Sequence, residues 1–296
     1  MWPQQLIARI EGGLGNQLFQ YAAARSLADR LGCELALDLR GLAENADRPY
    51  QLDRYHVRAS IADDTMLQRL PSARASRRAQ WCSNLSQAWP WLFSFPAFWP
   101  RSFAFDSRFA QIRRPVFLIG YWQSEKYFAW NRPRLMQDIS LRKALVRDRP
   151  LLEKIQGSTS VALHIRRGDY VSNANAAAFH GLCDLRYYVA AVQLLRARLR
   201  DPEVFVFSDD SQWAREHLAL GLPTYFVESS GEDSGMQDME LMRHCKHHVL
   251  ANSSFSWWGA WRCENPQQQV IAPRQWFKDT GVDTSDVIPS RWQLLD

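Results

Sequence analysis

The second half of the chain alternates short apolar strands with amphipathic helices, and that alternation leaves few folds open. Ser160–Ile165, Val204–Phe207, Thr224–Val227, His248–Ala251 and Gln269–Ala272 read as strands. Between them lie helical patterns at Leu185–Leu199, Ser211–Leu220, Met236–His244 and Ser256–Arg262, with Asp184 placed to cap the first and Gly221 to end the second. Short apolar strands separated by helices predict a parallel sheet covered on both faces. Ligands in such sheets bind beyond the carboxyl ends of the strands, so the residues following each strand are the ones to read for chemistry.

The amino-terminal part opens the same way. Leu6–Ile10 is a strand, Leu18–Leu31 a helix with Gly32 at its C-cap, and Glu34–Asp38 a second strand, which makes a βαβ start. Residues 41–115 are irregular, with a basic, helix-compatible stretch at Arg69–Arg78 followed by a proline–tryptophan segment. Val116–Gly120 reads as a strand and Arg132–Val146 as a helix, while Pro150 and Gly157-Ser158 mark a junction. The expectation is therefore two α/β regions, 1–150 and 151–296, a division that a length of 296 residues accommodates.

Composition narrows the function classes. Lys plus Arg at 36 against Asp plus Glu at 31 gives a net charge of +5, an excess that suits an anionic small molecule as well as nucleic acid. The five cysteines are scattered without a CxxC pair, and no charged segment leads into an apolar one at the start. Both point to reduced thiols in a cytoplasmic protein. The most apolar stretch, Trp89–Phe105, is broken by Pro90, Pro96, Pro100 and Arg101. A membrane-spanning helix needs about 20 mostly apolar residues, so this stretch suits at most a peripheral membrane contact.

Four motifs sit at strand ends. Gly12-Gly13-Leu14-Gly15-Asn16-Gln17-Leu18-Phe19-Gln20-Tyr21 leaves the first strand. Gly13 and Gly15, with Asp38 at the next strand end, mimic a dinucleotide fingerprint, but Leu18 replaces the third glycine and Asn16 and Gln17 bring recognition amides. His164-Ile165-Arg166-Arg167-Gly168-Asp169-Tyr170 leaves the first strand of the second half. Its arginines suit bidentate bonds to phosphate, and strand alternation puts His164 and Arg166 on one face. A plain ion-paired strand end, with Asp169 neutralising an arginine, is the simpler alternative. Ser208-Asp209-Asp210 offers one carboxylate as a helix cap, by default Asp210, and one to read a ligand. Ala251-Asn252-Ser253-Ser254-Phe255-Ser256 opens a helix whose free N–H groups, with the hydroxyls of Ser253 and Ser254, form an anion site without a P-loop.

In this order the motifs resemble those of the glycosyltransferase family 11 α-1,2-fucosyltransferases of bacterial type, without a transmembrane anchor. The resemblance is carried by Gly12–Ala22, His164–Tyr170, Phe207–Asp210 and Ala251–Trp261, and spans roughly residues 6–277. It implies a GT-B-like α/β fold of two Rossmann-like halves, with the acceptor on the amino-terminal side and the nucleotide sugar on the carboxyl-terminal half. It implies inverting transfer of fucose from GDP-β-L-fucose to the 2-hydroxyl of a galactose-terminated glycan in surface-polysaccharide or lipopolysaccharide synthesis. No obligatory metal, cofactor or nucleic-acid partner belongs to that reaction. By the same resemblance Arg166 holds the β-phosphate, with Arg167 as a further phosphate ligand. His164 sits by the nucleotide, Asp209 accepts from guanine, and Ser253, Ser254 and Phe255 line the phosphate and nucleoside pocket. Asn16 faces the donor, with Gly13 and Gln17 in the same substrate-binding turn, and Asp169 is the candidate base.

Other classes stay open on sequence alone: a nicotinamide or flavin oxidoreductase using the glycine turn and Asp38, a non-catalytic nucleotide- or glycan-binding module, and a fucosyltransferase of another linkage. The run His244-Cys245-Lys246-His247-His248 straddles a helix end and a strand start, so its side chains diverge and no zinc site is expected. The chain also holds 13 tryptophans. Trp257, Trp258 and Trp261 are expected to pack the serine-motif helix, whereas Trp81, Trp89, Trp91 and Trp99 are candidates for contact with acceptor or lipid.

Overall fold

The computed structural model describes residues 5–43, 48–68, 97–143, 149–168, 179, 181–228, 231 and 233–296. The chain divides into two compact units, Met1–Lys143 with Ser285–Val287, and Ala144–Thr284 with Ile288–Asp296. The break precedes Pro150, and the helix Arg149–Gly157 belongs wholly to the second unit.

In the first unit, β1 (Gln5–Arg9), α1 (Leu14–Leu31), β2 (Glu34–Asp38), β3 (Ser60–Ile61), β4 (Ala97–Phe98), β5 (Phe117–Leu118) and α2 (Arg132–Asp138) form the framework. The strands make a parallel sheet in the order β3-β2-β1-β5-β4. α1 starts at Leu14 rather than Leu18 because Gly13 caps it in an extended conformation and accepts from the backbone N–H groups of Asn16 and Gln17. Gly32 ends it in the left-handed region at φ 65, as expected for a C-cap glycine. α2 stops at Asp138, short of the expected Val146. Asp138 is pinned to α1 by the Tyr21 hydroxyl at 2.7 Å and Arg25 Nε at 3.0 Å, and the chain then pairs with residues 54–56 instead of coiling on. Trp99 packs on the sheet core with Met66 and Leu67. Trp81, Trp89 and Trp91 lie outside the described residues.

The second unit runs α3 (Arg149–Gly157), β6 (Thr159–Ile165), α4 (Leu185–Arg196), β7 (Pro202–Ser208), α5 (Ser211–His217), β8 (Thr224–Phe226), α6 (Ser234–His244), β9 (His247–Val249), α7 (Ser254–Trp261), β10 (Val270–Pro273) and β11 (Gln293–Leu295). Its parallel strands are ordered β11-β10-β9-β6-β7-β8. That is the doubly wound order, with the reversal between β6 and β9. Asp184 caps α4 as expected, accepting from Tyr187 N–H. α5 ends at His217, before the expected Leu220, because Leu218 turns extended.

The serine-motif helix α7 is buried among aromatics. Trp257 stacks on Trp261 at 6.0 Å and meets Trp258 and Trp292 at 5.2 and 5.4 Å. α7 also lies close against α6, where a Cβ on Gly259 would sit 2.9 Å from Met242 Cβ. Next to this contact the buried Arg262 pairs with Glu240 at 2.7 Å. In β9 the fully buried His248 uses both ring nitrogens, with Met242 O at 2.8 Å from Nε2 and Gln268 Nε2 at 2.9 Å from Nδ1. Nε2 must donate to the carbonyl, so Nδ1 accepts. His248 is a core residue, and among the described residues no cluster of three metal-ligating side chains forms.

Candidate functional site

The topological reversal of the second sheet places the ends of β6 and β9 side by side, and the charged strand-end motifs meet there and at neighbouring β7. Ile165 is opposite Ser208 in the β6–β7 register, so the residues that follow emerge as two facing pairs. Arg166 Nη1 lies 3.0 Å from Asp209 Oδ2, and Arg167 Nε lies 3.4 Å from Asp210 Oδ2. Asp209 also accepts from the backbone N–H groups of Arg167 and Gly168, at 2.8 and 3.0 Å. Asp210 caps α5 through Trp213 N–H, the role expected for it. The Arg167 guanidinium lies 3.7 Å from the centroid of the Trp213 ring.

These contacts bear on two sequence expectations. Asp209, expected to accept from guanine, has its carboxylate engaged by Arg166 and by the backbone of the loop after β6. Among the described residues the carboxylates paired with the two arginines are those of Asp209 and Asp210; Asp169, expected as base and, in the simpler alternative, as neutraliser, lies outside the described residues. Sequence could name the four charges but not match them, since the matching depends on register between strands that are far apart in the chain. Arg167, expected as a phosphate ligand, is engaged by Asp210 and Trp213.

His164, inside β6, is 4% exposed, and its Nδ1 has no hydrogen-bond partner among the described residues. Burial, helped by the adjacent Arg166 charge, pushes its pKa down to about 3, so the ring is neutral at physiological pH. Its ring centroid is 5.4 Å from that of Phe255 on α7. This brings together two residues expected at one nucleotide pocket.

The serine run divides its work. Ser253, extended and buried, caps α7 by accepting from Phe255 N–H at 3.3 Å, and Ser256 Oγ donates to Ala251 O and Ser253 O. Ser254 is half-buried at the helix start. Sequence reasoning missed Asn252, whose amide fixes the turn by donating to Gly181 O and Trp276 O, both at 3.3 Å. A cavity of about 820 Å³ opens on the far flank of Asn252, lined by Arg186, Arg274 and Lys278 among others, and holds none of the residues expected at the donor.

The first unit has its own reversal, between β1 and β5. There Asn16 Oδ1 accepts from Gln123 Nε2 at 2.9 Å, which turns the Asn16 amide in one direction. Gly12 takes φ 76 directly against it. Gly13 caps α1, and a Cβ there would come within 3.2 Å of Arg48 Nη1. Gln17, expected to bind substrate, is fully buried. Its amide donates to Gly12 O and Pro49 O and accepts from Gln51 N–H, so it ties the turn to the following loop. Asp38 is likewise buried and held by Arg40 at 2.8 Å, which takes from the dinucleotide reading the carboxylate it needs for a ribose.

The geometry agrees with the similarities to known proteins. The model of the family Glycosyl transferase family 11 matches residues 101–293. The Alpha-1,2-colitosyltransferase of Escherichia coli is 32% identical over 302 residues, covering 98% of this chain and 99% of that protein. The Galactoside alpha-(1,2)-fucosyltransferase 2 of Sus scrofa is 33% identical over 105 residues, which covers 35% of this chain and 31% of that protein. Among solved structures, the fucosyltransferase NodZ from Bradyrhizobium superposes with a TM-score of 0.52 at 18% identity, covering 88% of this chain and 92% of the other. That likeness shows the fold, a GT-B-like α/β architecture as expected. Among the described residues no helix is long and apolar enough to cross a membrane.

Proposed function

This chain belongs to glycosyl transferase family 11, and from that premise we propose that it transfers L-fucose from GDP-β-L-fucose to the 2-hydroxyl of a terminal galactose, with inversion. The observation that carries the reading is the Asp209-tethered Arg166 at the end of β6, in the strand adjacent to the one that leads into the start of α7. Transfer builds positive charge on the sugar and negative charge on departing GDP. A fixed guanidinium and the free N–H groups of a helix start stabilise that anion without having to reorganise. They supply positive potential where a metal could otherwise serve, so turnover is expected to persist in a chelator.

In this reading Arg166 takes the β-phosphate, Ser254 and the α7 N–H groups take phosphate oxygens, and the neutral His164 and Phe255 line the nucleoside pocket. Asp169 removes the acceptor proton, and Asn16 and Gly13 belong to the substrate-binding turn. Asp169→Asn is expected to lower turnover at least about 100-fold; near-normal turnover would remove it as base. The setting proposed is cytoplasmic, at the inner face of the membrane, in surface-polysaccharide synthesis.

The colitosyltransferase relative favours one second reading, in which the donor is GDP-colitose. Colitose is L-fucose without its 3-hydroxyl, so the same phosphate site serves either donor. Incubation with each donor and a panel of galactosides, followed by GDP release and linkage analysis, decides between them. An α-1,2-fucosylated product is expected; GDP release only from GDP-colitose, or a different linkage, would overturn the reading.

A further inference from the structure

The carboxyl edge of the first unit's sheet, from which the turn with Gly13 and Asn16 leaves, also offers a surface for an acceptor sugar ring. Ala8 of β1 is opposite Leu118 of β5. Glu11 and Tyr121, each three residues further on (11 − 8 and 121 − 118), therefore leave the sheet as neighbours. The phenol of Tyr121 feels both Glu11 and Arg9: burial, then the Glu11 charge, push its pKa up to about 12 against an opposing effect of Arg9.

The loop that carries Tyr121 is held in an unusual shape. It enters through Gly120 at φ 146, where a Cβ would lie 2.8 Å from Pro100 Cδ. It leaves through Trp122, a bulky residue at φ 56, a region such side chains seldom adopt. Trp122 is buried against Phe98, Phe109 and Tyr127, with centroids 5.2–5.9 Å away, and this packing enforces the conformation. The outcome is that Gln123 turns in to Asn16 while Tyr121 stays 37% exposed, between the buried Ile119 and the buried Trp122 and Gln123. Phe103 stacks parallel to the Tyr121 ring, 5.9 Å between centroids with 9° between planes. Beside it Arg9, 4% exposed, holds Glu11 at 3.4 Å, and the Glu11 side chain is 27% exposed.

We propose that Tyr121, backed by Phe103 and flanked by the Arg9-held carboxylate of Glu11, is the binding subsite for the acceptor sugar, and that it selects a β-galactoside. The identity of the sugar rests on the transfer reading above. A galactose ring, with its axial 4-hydroxyl, turns H3, H4 and H5 to one face, an apolar patch that fits against an aromatic ring. Glu11 accepts from sugar hydroxyls through charge-assisted hydrogen bonds, and Arg9 is its positioning residue. A glucoside, whose 4-hydroxyl is equatorial, presents a different face.

The test uses the full chain. Tyr121→Ala is expected to raise the acceptor KM at least tenfold while GDP affinity, read by calorimetry, stays within twofold of the parent. Tyr121→Phe keeps the ring and is expected to restore KM; Glu11→Gln should raise it less than Tyr121→Ala does. Saturation-transfer NMR should show methyl β-D-galactoside binding to the parent and Tyr121→Phe proteins but not to Tyr121→Ala, and methyl β-D-glucoside binding to none. An unchanged acceptor KM and unchanged galactoside binding in Tyr121→Ala, or equal binding of the glucoside, overturns the subsite. If galactoside binding depends on Tyr121 but the parent transfers no sugar, the subsite stands and the transfer reading falls.

Discussion

In each unit the order of the parallel strands reverses once, and the two reversals are equipped differently. In the second unit the reversal and the neighbouring β7 end carry charge that is already paired: Arg166 with Asp209, Arg167 with Asp210. A helix start opens after β9 at the same edge. In the first unit the reversal carries chiefly amides and rings, with Gln123 on Asn16 and Phe103 on Tyr121, beside one ion pair, Arg9 with Glu11. Pre-paired arginines suit an anion that needs a rigid counter-charge, because a guanidinium held by a carboxylate does not have to be ordered when the ligand arrives. Amides and exposed rings suit a neutral polyol. In parallel sheets the topology sets where ligands bind, and the residues following each strand set which ligands fit.

The strongest way to break this contrast is to remove the charge from the second reversal. Arg166→Ala should lower turnover by about 10²–10³-fold or more, the usual cost of one fixed donor to a developing anion. Arg167→Ala should cost less, since that side chain is engaged by Asp210 and Trp213. Equal losses in steady-state kcat for both variants would mean that the two arginines act as one phosphate clamp, and that the pairing seen in the structure does not separate their roles.

Asp209→Asn comes next. It keeps the shape but turns an N–H₂ toward groups that donate, disturbing the backbone of Arg167 and Gly168 as well as Arg166. Hydrogen bonds to a charged group contribute about 1.5–3 kcal/mol, so kcat/KM is expected to fall about 10- to 100-fold, with weaker GDP binding. If Asp209 instead read guanine directly, the variant would lose discrimination between GDP and other nucleoside diphosphates, which competition binding detects. In the first unit, Gln17→Ala sharpens the comparison from the other side. Its amide is wholly engaged by backbone, so the cost is expected in stability, about 1–3 kcal/mol for buried groups left unpaired, read as a lower urea midpoint. A raised substrate KM at unchanged stability would restore Gln17 to the substrate.

How far the sequence disclosed this arrangement depends on whether each feature is local. The α1 C-cap at Gly32, the Asp184 and Asp210 caps and the buried tryptophans of α7 are legible, because each is decided by residues within one turn of helix or one helix face. β5 falls inside the strand read at Val116–Gly120, whereas the two-residue strands β3 and β4 are too short to show alternation and β11 follows a long irregular stretch, so their pairing is tertiary information. The site shows the same limit. The motifs containing Arg166 and Asp209 stand out along the chain, yet their matching follows from Ile165 lying opposite Ser208. Gln17 and Asp38 look like recognition groups until the loop residues that engage them, Pro49, Gln51 and Arg40, are in place. Tyr121 carried no motif; its exposure beside a buried, positive-φ tryptophan is visible only in three dimensions.

The smallest expected effect separates the units by acidity. In the second unit His164 and His248 are buried and neutral, their pKa values pushed down to about 3 chiefly by desolvation, and burial also lowers those of His244 and His247. Unfolded, such rings take up protons below about pH 6.5, while the native rings stay neutral. The unfolded state therefore binds more protons, and the stability these groups contribute is full above pH 6.5 and falls as the pH drops toward 3. In the first unit the carboxylate with a lowered pKa, Asp106, is held down by Arg108 against the effect of its own burial, and its contribution is lost only at more acidic pH, below the ordinary carboxylate value near 3.8. Between pH 7 and 5, then, hydrogen exchange corrected for intrinsic rates should show β6 and β9 losing protection while α1 and β1 keep theirs. Uniform loss in both sheets would show that the two units unfold as one, and that their chemical division has no counterpart in stability.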